Sequence, residues 1–172
     1  MIGAILIIPL LIVRYGLPLL VDKDAMKRAA FTPPVEGREK IAFWVYLLST
    51  FAMLIYLFFI TIAVESYLFY IGVSFSVIGL LLYAISFINF GKPSEQGINT
   101  HGLYKYSRNP IYVAFFIYLL GCVLITQSLI LLALLIVYQT SVHWIVLSEE
   151  RWCIQQFGNE YIQYMKRVRR YL

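Results

Sequence analysis

The sequence predicts an all-α integral membrane protein: about five transmembrane helices and a short cytoplasmic C-terminal helix, in one domain over residues 1–172. Three observations predict it. Apolar residues make up 61% of the chain and charged residues 13%, with a mean hydropathy of +0.78. Soluble domains run near 45–50% apolar and about 25% charged. The apolar residues are gathered in long uncharged runs, and 13 of the 14 Lys/Arg residues lie in three segments between those runs. This composition excludes an ordinary soluble domain, a disordered chain, a disulfide scaffold and a collagen-like fibre. The net charge of +5 does not point to nucleic acid, because the basic residues are confined to short stretches. Cys122 and Cys153 stand in unlike surroundings and suggest no disulfide.

The elements follow in order. Met1–Val21 is apolar apart from Arg14. No basic residue precedes it and no small-residue cleavage site follows, so it is read as a first transmembrane helix rather than a signal peptide. Arg14 is expected to snorkel to the nearer interface rather than to act chemically. Ile41–Val64 and Tyr67–Phe90 are uncharged, and each fits one crossing of about 30 Å of hydrocarbon. Pro110–Ser148 is also uncharged. As one helix it would measure about 58 Å at 1.5 Å per residue, close to two crossings, so a turn is expected at its polar dip, Thr126-Gln127-Ser128. Helices are required because lipid leaves no partner for the open backbone of strands or loops.

Charge fixes the expected topology. Asp22–Lys40 carries five Lys/Arg, Gly91–Asn109 three and Glu149–Leu172 five, while the turns at Glu65-Ser66 and Thr126–Ser128 carry none. Five crossings put all three basic segments on one face. The positive-inside rule makes that face cytoplasmic and places the N-terminus outside. Turns are expected at Thr32-Pro33-Pro34 with Glu36-Gly37 and at Lys92–Gly97. Gly158 should break the tail, with Asn159 capping a last helix that has Glu160 in its first turn. In that helix Tyr161, Tyr164, Met165 and Val168 share a face, as an interfacial helix would.

Two segments on the basic face hold chemistry-bearing residues. The first is Ile98–Tyr112. Gly102 permits close backbone approach to a ligand, Pro110 suits a first helical turn, and the open N–H groups of that turn beside Arg108 favour a carboxylate or phosphate. An aromatic belt with positive-inside charges explains the same residues about equally well. The second segment is Glu149-Glu150-Arg151 with the tail. Two carboxylates at a helix C-terminus oppose its dipole and call for a cation: Arg151, a tail arginine, or a ligand. His143 reads as a packed, hydrogen-bonded residue. No CxxC, HExxH or His/Asp/Glu cluster supports a metal.

Together the two segments resemble the family of isoprenylcysteine carboxyl methyltransferases and phospholipid N-methyltransferases. Ile98-Asn99-Thr100-His101-Gly102-Leu103-Tyr104 and Arg108-Asn109-Pro110-Ile111-Tyr112 match its first block. Glu149-Glu150, Phe157-Gly158-Asn159-Glu160-Tyr161-Ile162-Gln163-Tyr164 and Arg170 match its second. Asn109 replaces the more usual histidine and can still donate and accept hydrogen bonds. The resemblance implies a membrane methyltransferase that uses S-adenosyl-L-methionine. His101, Gly102, Leu103 and Tyr104 would contact the cofactor, with Asn109, Pro110 and Tyr112 completing its site. Arg108 would hold its carboxylate, and Glu149 and Glu150 would meet its cationic or ribose portion. Arg170 would orient the acceptor, and Glu150 would act as base if the acceptor is an amine.

The partners implied are the bilayer and an amphiphilic or prenylated acceptor, either a small molecule or a protein C-terminus. An isoprenylcysteine carboxylate is the favoured acceptor and phosphatidylethanolamine the alternative. The membrane is a prokaryotic plasma membrane or the endoplasmic reticulum. A membrane NADPH-dependent sterol reductase, with a similar C-terminal half, and a small scaffold or transporter subunit are the competing classes.

Overall fold

In a computed structural model, which describes residues 2–17, 34–37, 39–91 and 97–172, the protein is all-α. We number its helices α1 (Gly3–Gly16), α2 (Glu39–Leu57), α3 (Tyr67–Phe90), α4 (Pro110–Thr126), α5 (Leu129–Phe157) and α6 (Asn159–Arg167). Among them α2, α3 and α5 are long and apolar enough to cross a membrane, while α1 and α4 are apolar but shorter. Most of the expected first cytoplasmic loop, the turn at Thr32-Pro33 and residues 92–96 of the Lys92–Gly97 loop lie outside the described residues.

Two antiparallel pairs build the bundle. In the first, α3 and α4 approach closely through small residues. A Cβ on Gly79 would stand 2.4 Å from the Tyr118 backbone nitrogen, and one on Gly121 would stand 2.3 Å from Ser76 Oγ. Small residues let helix backbones meet where no hydrophobic force separates lipid from protein. In the second pair, α2 lies along α5, joined by Tyr46 against Tyr138 with ring centroids 5.5 Å apart, and by Tyr56 Oη to Ser128 Oγ at 3.1 Å. The outward faces are apolar: Ile41, Trp44, Leu48, Phe51 and Ile55, all exposed, follow one stripe of α2. At 3.6 residues per turn that stripe is the lipid-facing side.

The uncharged runs become helices with two departures. The Ile41–Val64 run stays helical only to Leu57. A turn at Phe58-Phe59 follows, then residues 60–63 run extended, with Thr61 bridging Ile2, Ile60 accepting from Gly3 N at 2.8 Å and Ala63 N donating to Ile125 O at 3.2 Å. These bonds satisfy backbone that the helix has released. The first run is irregular: 3₁₀ over Gly3–Leu6, α over Ile7–Leu11 and π over Ile12–Gly16. Pro9, which lacks an N–H, sits in its middle. The expected turn at Thr126–Ser128 forms. Gln127 takes the left-handed conformation (φ 51°), and Ser128 Oγ caps α5 by accepting from Leu131 N at 3.2 Å.

Near Phe157 the helix ends where expected, but the cap is shifted by one residue. Gly158 (φ 56°, ψ −131°) is the N-cap of α6, and Asn159 is its first helical residue without a side-chain cap bond. Only glycine reaches that conformation cheaply, so the break and the cap fall on the same residue. The buried face of α6, Tyr161 and Tyr164, packs on Ile98, Cys153, Ile154 and Phe157. Its buried face covers the end of α5 and the 97–109 loop. One end of the bundle thus gathers Glu39, the 97–109 loop, the end of α5 and the tail. The other holds residues 2–3, 58–66 and 126–128.

Candidate functional site

The 97–109 loop is moulded onto the end of α3. Gly102 (φ 57°) sits against Asn89, where a Cβ would fall 2.0 Å from Asn89 Oδ1, and the same oxygen accepts from Leu103 N at 3.0 Å. The close approach expected at Gly102 is therefore to Asn89 of the chain itself. A 3₁₀ turn, Gly102–Lys105, carries Tyr104 into the interior, and Tyr164 Oη donates to its carbonyl at 2.7 Å. Burial raises the Tyr104, Tyr161 and Tyr164 phenols above their ordinary pKa, so all three remain neutral. Pro110 opens α4 at its first position.

From there the loop strand binds the tail. Arg108 N donates to Arg169 O at 2.9 Å, and Ser107 Oγ and Asn109 Nδ2 both donate to Arg170 O at 3.3 and 3.1 Å. Asn109 is buried. It performs this tie as a hydrogen-bond donor, which no titrating imidazole is needed to do.

Arg108 and Arg170 converge on Glu150. Arg108 Nε donates to Glu150 Oε1 at 2.9 Å and Nη2 lies 2.8 Å from it, while Nη1 caps the end of α6 through the Met165 and Val168 carbonyls at 2.9 and 2.8 Å. Arg170 Nε and Nη2 donate to Glu150 Oε2 at 3.0 and 2.8 Å. The Glu150 and Arg108 side chains are 4% and 8% exposed and that of Arg170 is 32% exposed. The carboxylate keeps Arg170 firmly protonated by hydrogen bonding. This clamp fastens loop, α5 and tail into one body. Breaking a buried pair by removing one partner costs about 3–5 kcal/mol.

Glu149, one residue earlier and half-buried, accepts from Tyr112 Oη at 2.6 Å. Among the described residues no cationic side chain pairs with it. Tyr46 and Tyr104 stand within electrostatic reach. Arg151 turns away to Glu39, with both guanidinium nitrogens on its carboxylate at 2.6 and 2.7 Å. The sequence-predicted residues thus divide. Arg108, Asn109, Glu150 and Arg170 form the clamp, Tyr112 and Glu149 form a separate pair, and His101 to Tyr104 line the loop between α3 and α4. His143 hydrogen-bonds Tyr171 Oη at 3.2 Å but is exposed rather than packed.

Sequence reasoning missed Asn89, Tyr46 and Asn99. Asn89 and Tyr46 are polar residues near the ends of uncharged runs, and that placement is the signal that marks them. Asn99 Oδ1 is buried without a hydrogen-bond partner among the described residues, a cost a native protein retains for a reason.

A family model for phospholipid methyltransferases matches residues 58–160, more than half of the chain and including the first candidate segment and the second as far as Glu160. The chain belongs to the phospholipid methyltransferase family. No curated protein and no solved structure matches it. Within this family member the matched region carries Tyr112, Glu149, Arg108 and Glu150, while Arg170, the outer arm of the clamp, lies beyond it. The protein is accordingly a membrane methyltransferase. Its described residues contain no cluster of His, Cys, Asp or Glu able to hold a metal.

Proposed function

We propose that the protein transfers a methyl group from S-adenosyl-L-methionine to the headgroup amine of a phospholipid, at the end of the bundle where the loop, α5 and the tail meet. The observation that carries this reading is the contrast at Glu149-Glu150: Glu150 has two arginines, and Glu149 has a phenol and no cation among the described residues. A carboxylate left without a cation beside tyrosine rings suits a positively charged partner.

The residues present fit the cofactor. Its sulfonium needs a negative or aromatic surrounding, which Glu149, Tyr104 and Tyr112 offer. Its adenine amine and ribose hydroxyls need acceptors, which Asn99 Oδ1, without a partner among the described residues, and the His101–Tyr104 backbone offer. When bound, the cofactor supplies an electrophilic methyl group. The chain's own residues do the rest. Glu149 takes the proton that an ammonium headgroup must lose before its nitrogen can react. Tyr112 holds that carboxylate in place. The clamp seals the tail over the loop, which keeps the site aligned and dry. The basic end faces the cytoplasm, and the acceptor enters sideways from the bilayer.

An isoprenylcysteine carboxylate is the second reading. It needs a free cation, and Arg170, the more exposed arm of the clamp, is the residue that would leave Glu150 to supply it. Labelled-methyl transfer to phosphatidylethanolamine or to a prenylcysteine analogue separates the two. S-adenosylhomocysteine binding without NADPH binding supports the methyltransferase site, and the reverse would give the site to a reductase.

A further inference from the structure

Arg14 is the one basic residue outside the three charged segments, and it lies outside the residues matched by the family model. Its Nη1 donates to Tyr83 Oη at 3.1 Å. Tyr83 is 1% exposed and sits seven residues before the end of α3, about 10 Å below it at 1.5 Å per residue. Arg14 itself stays exposed, and no carboxylate among the described residues pairs with it. An arginine open to an apolar layer whose partners among the described residues are the neutral phenols Tyr83 and Tyr15 is costly and marks a functional position. The local backbone agrees: Arg14 occupies the π-helical turn Ile12–Gly16, a geometry concentrated at functional sites.

Its surroundings lead towards Glu149. Tyr83 packs on Phe115 at 5.7 Å, Phe115 on Tyr138 at 5.4 Å, and Tyr138 on Tyr46 at 5.5 Å. Both Tyr46 and Tyr138 lie within electrostatic reach of Arg14 and of Glu149. A cation and an anion, each without an ionic partner among the described residues, therefore border one tyrosine cluster. A zwitterionic headgroup carries the complementary charges. We propose that Arg14 is the anion-holding residue of the acceptor site, taking the phosphate of a phospholipid while Glu149 faces its amine. This inference rests on the phospholipid reading above.

The test uses the full chain in detergent. Tail-labelled phosphatidylethanolamine is titrated against diacylglycerol with the same acyl chains, with inorganic phosphate as competitor. The wild type should prefer the phospholipid about tenfold, the order of one charge-assisted hydrogen bond. Arg14→Gln should remove the part of the preference that the phosphate supplies, leaving only what Glu149 contributes through the amine, and Arg14→Lys should keep more of it. If Arg14→Gln does not fold, Tyr83→Phe removes only the hydroxyl that orients the guanidinium and should weaken the preference about threefold. A preference undiminished by these substitutions overturns the inference. Displacement of the lipid by millimolar phosphate also overturns it, because the site would then serve the free ion. Phospholipid bound through Arg14 yet never methylated would instead sink the acceptor reading and leave the Arg14 site standing.

Discussion

Glu150 accepts from two arginines with both of its oxygens, whereas Glu149, one residue earlier on the same helix, accepts from a single phenol and meets no cation among the described residues. A step of about 100° around α5 separates a carboxylate turned into the tail clamp from one turned towards the tyrosines of α2 and α4. The difference teaches that a pair of adjacent acids need not share a task. One ties three parts of the chain together, and the other is left with a charge to be met by something outside the chain.

Substitutions can break or sharpen this contrast. The largest effect is expected at Glu149. Glu149→Gln should lower kcat/KM by about 10²–10⁴-fold, the usual worth of a positioned acid or base, with the unfolding midpoint nearly unchanged in thermal melts of detergent-solubilised protein. Glu150→Ala should do the opposite. It strands Arg108 in the interior and should cost about 3–5 kcal/mol of stability, read in the same melts before any assay. A Glu150 variant as stable as the wild type would dissolve the distinction.

A smaller effect is expected from Tyr112→Phe, which removes the phenol hydrogen bond on Glu149. Initial rates should fall about tenfold, in line with a hydrogen bond to a charged group. The smallest is expected from Arg151→Ala. The Arg151 side chain is 36% exposed, so denaturant unfolding should shift by about 0–1 kcal/mol.

Much of the fold was legible because lipid makes hydropathy decisive. The uncharged runs, the Gln127 turn and the Gly158 break could each be read from composition. Two things could not. The extended return at Ile60–Ala63 depends on backbone partners from the N-terminus and α4, which no local pattern announces. The choice of which acid each arginine meets depends on the path of the tail, since Arg151, the sequence neighbour of Glu150, pairs with Glu39 instead. The candidate site was legible as a set of residues and not as an arrangement. The motifs named Arg108, Asn109, Glu150 and Arg170 without showing that they hold one another. Asn89 and Asn99 carry no charge and sit beside louder neighbours, so their roles emerge only from the hydrogen bonds made or missing.

The most direct test compares labelled-methyl transfer by wild type, Glu149→Gln and Glu150→Gln in bilayers containing phosphatidylethanolamine, at matched amounts of folded protein and matched S-adenosylhomocysteine binding. Label should enter the phospholipid with the wild type, fall to near background with Glu149→Gln, and persist in whatever fraction of Glu150→Gln remains folded. Undiminished transfer by folded Glu149→Gln, or label entering a prenylcysteine analogue and not the phospholipid, would contradict it.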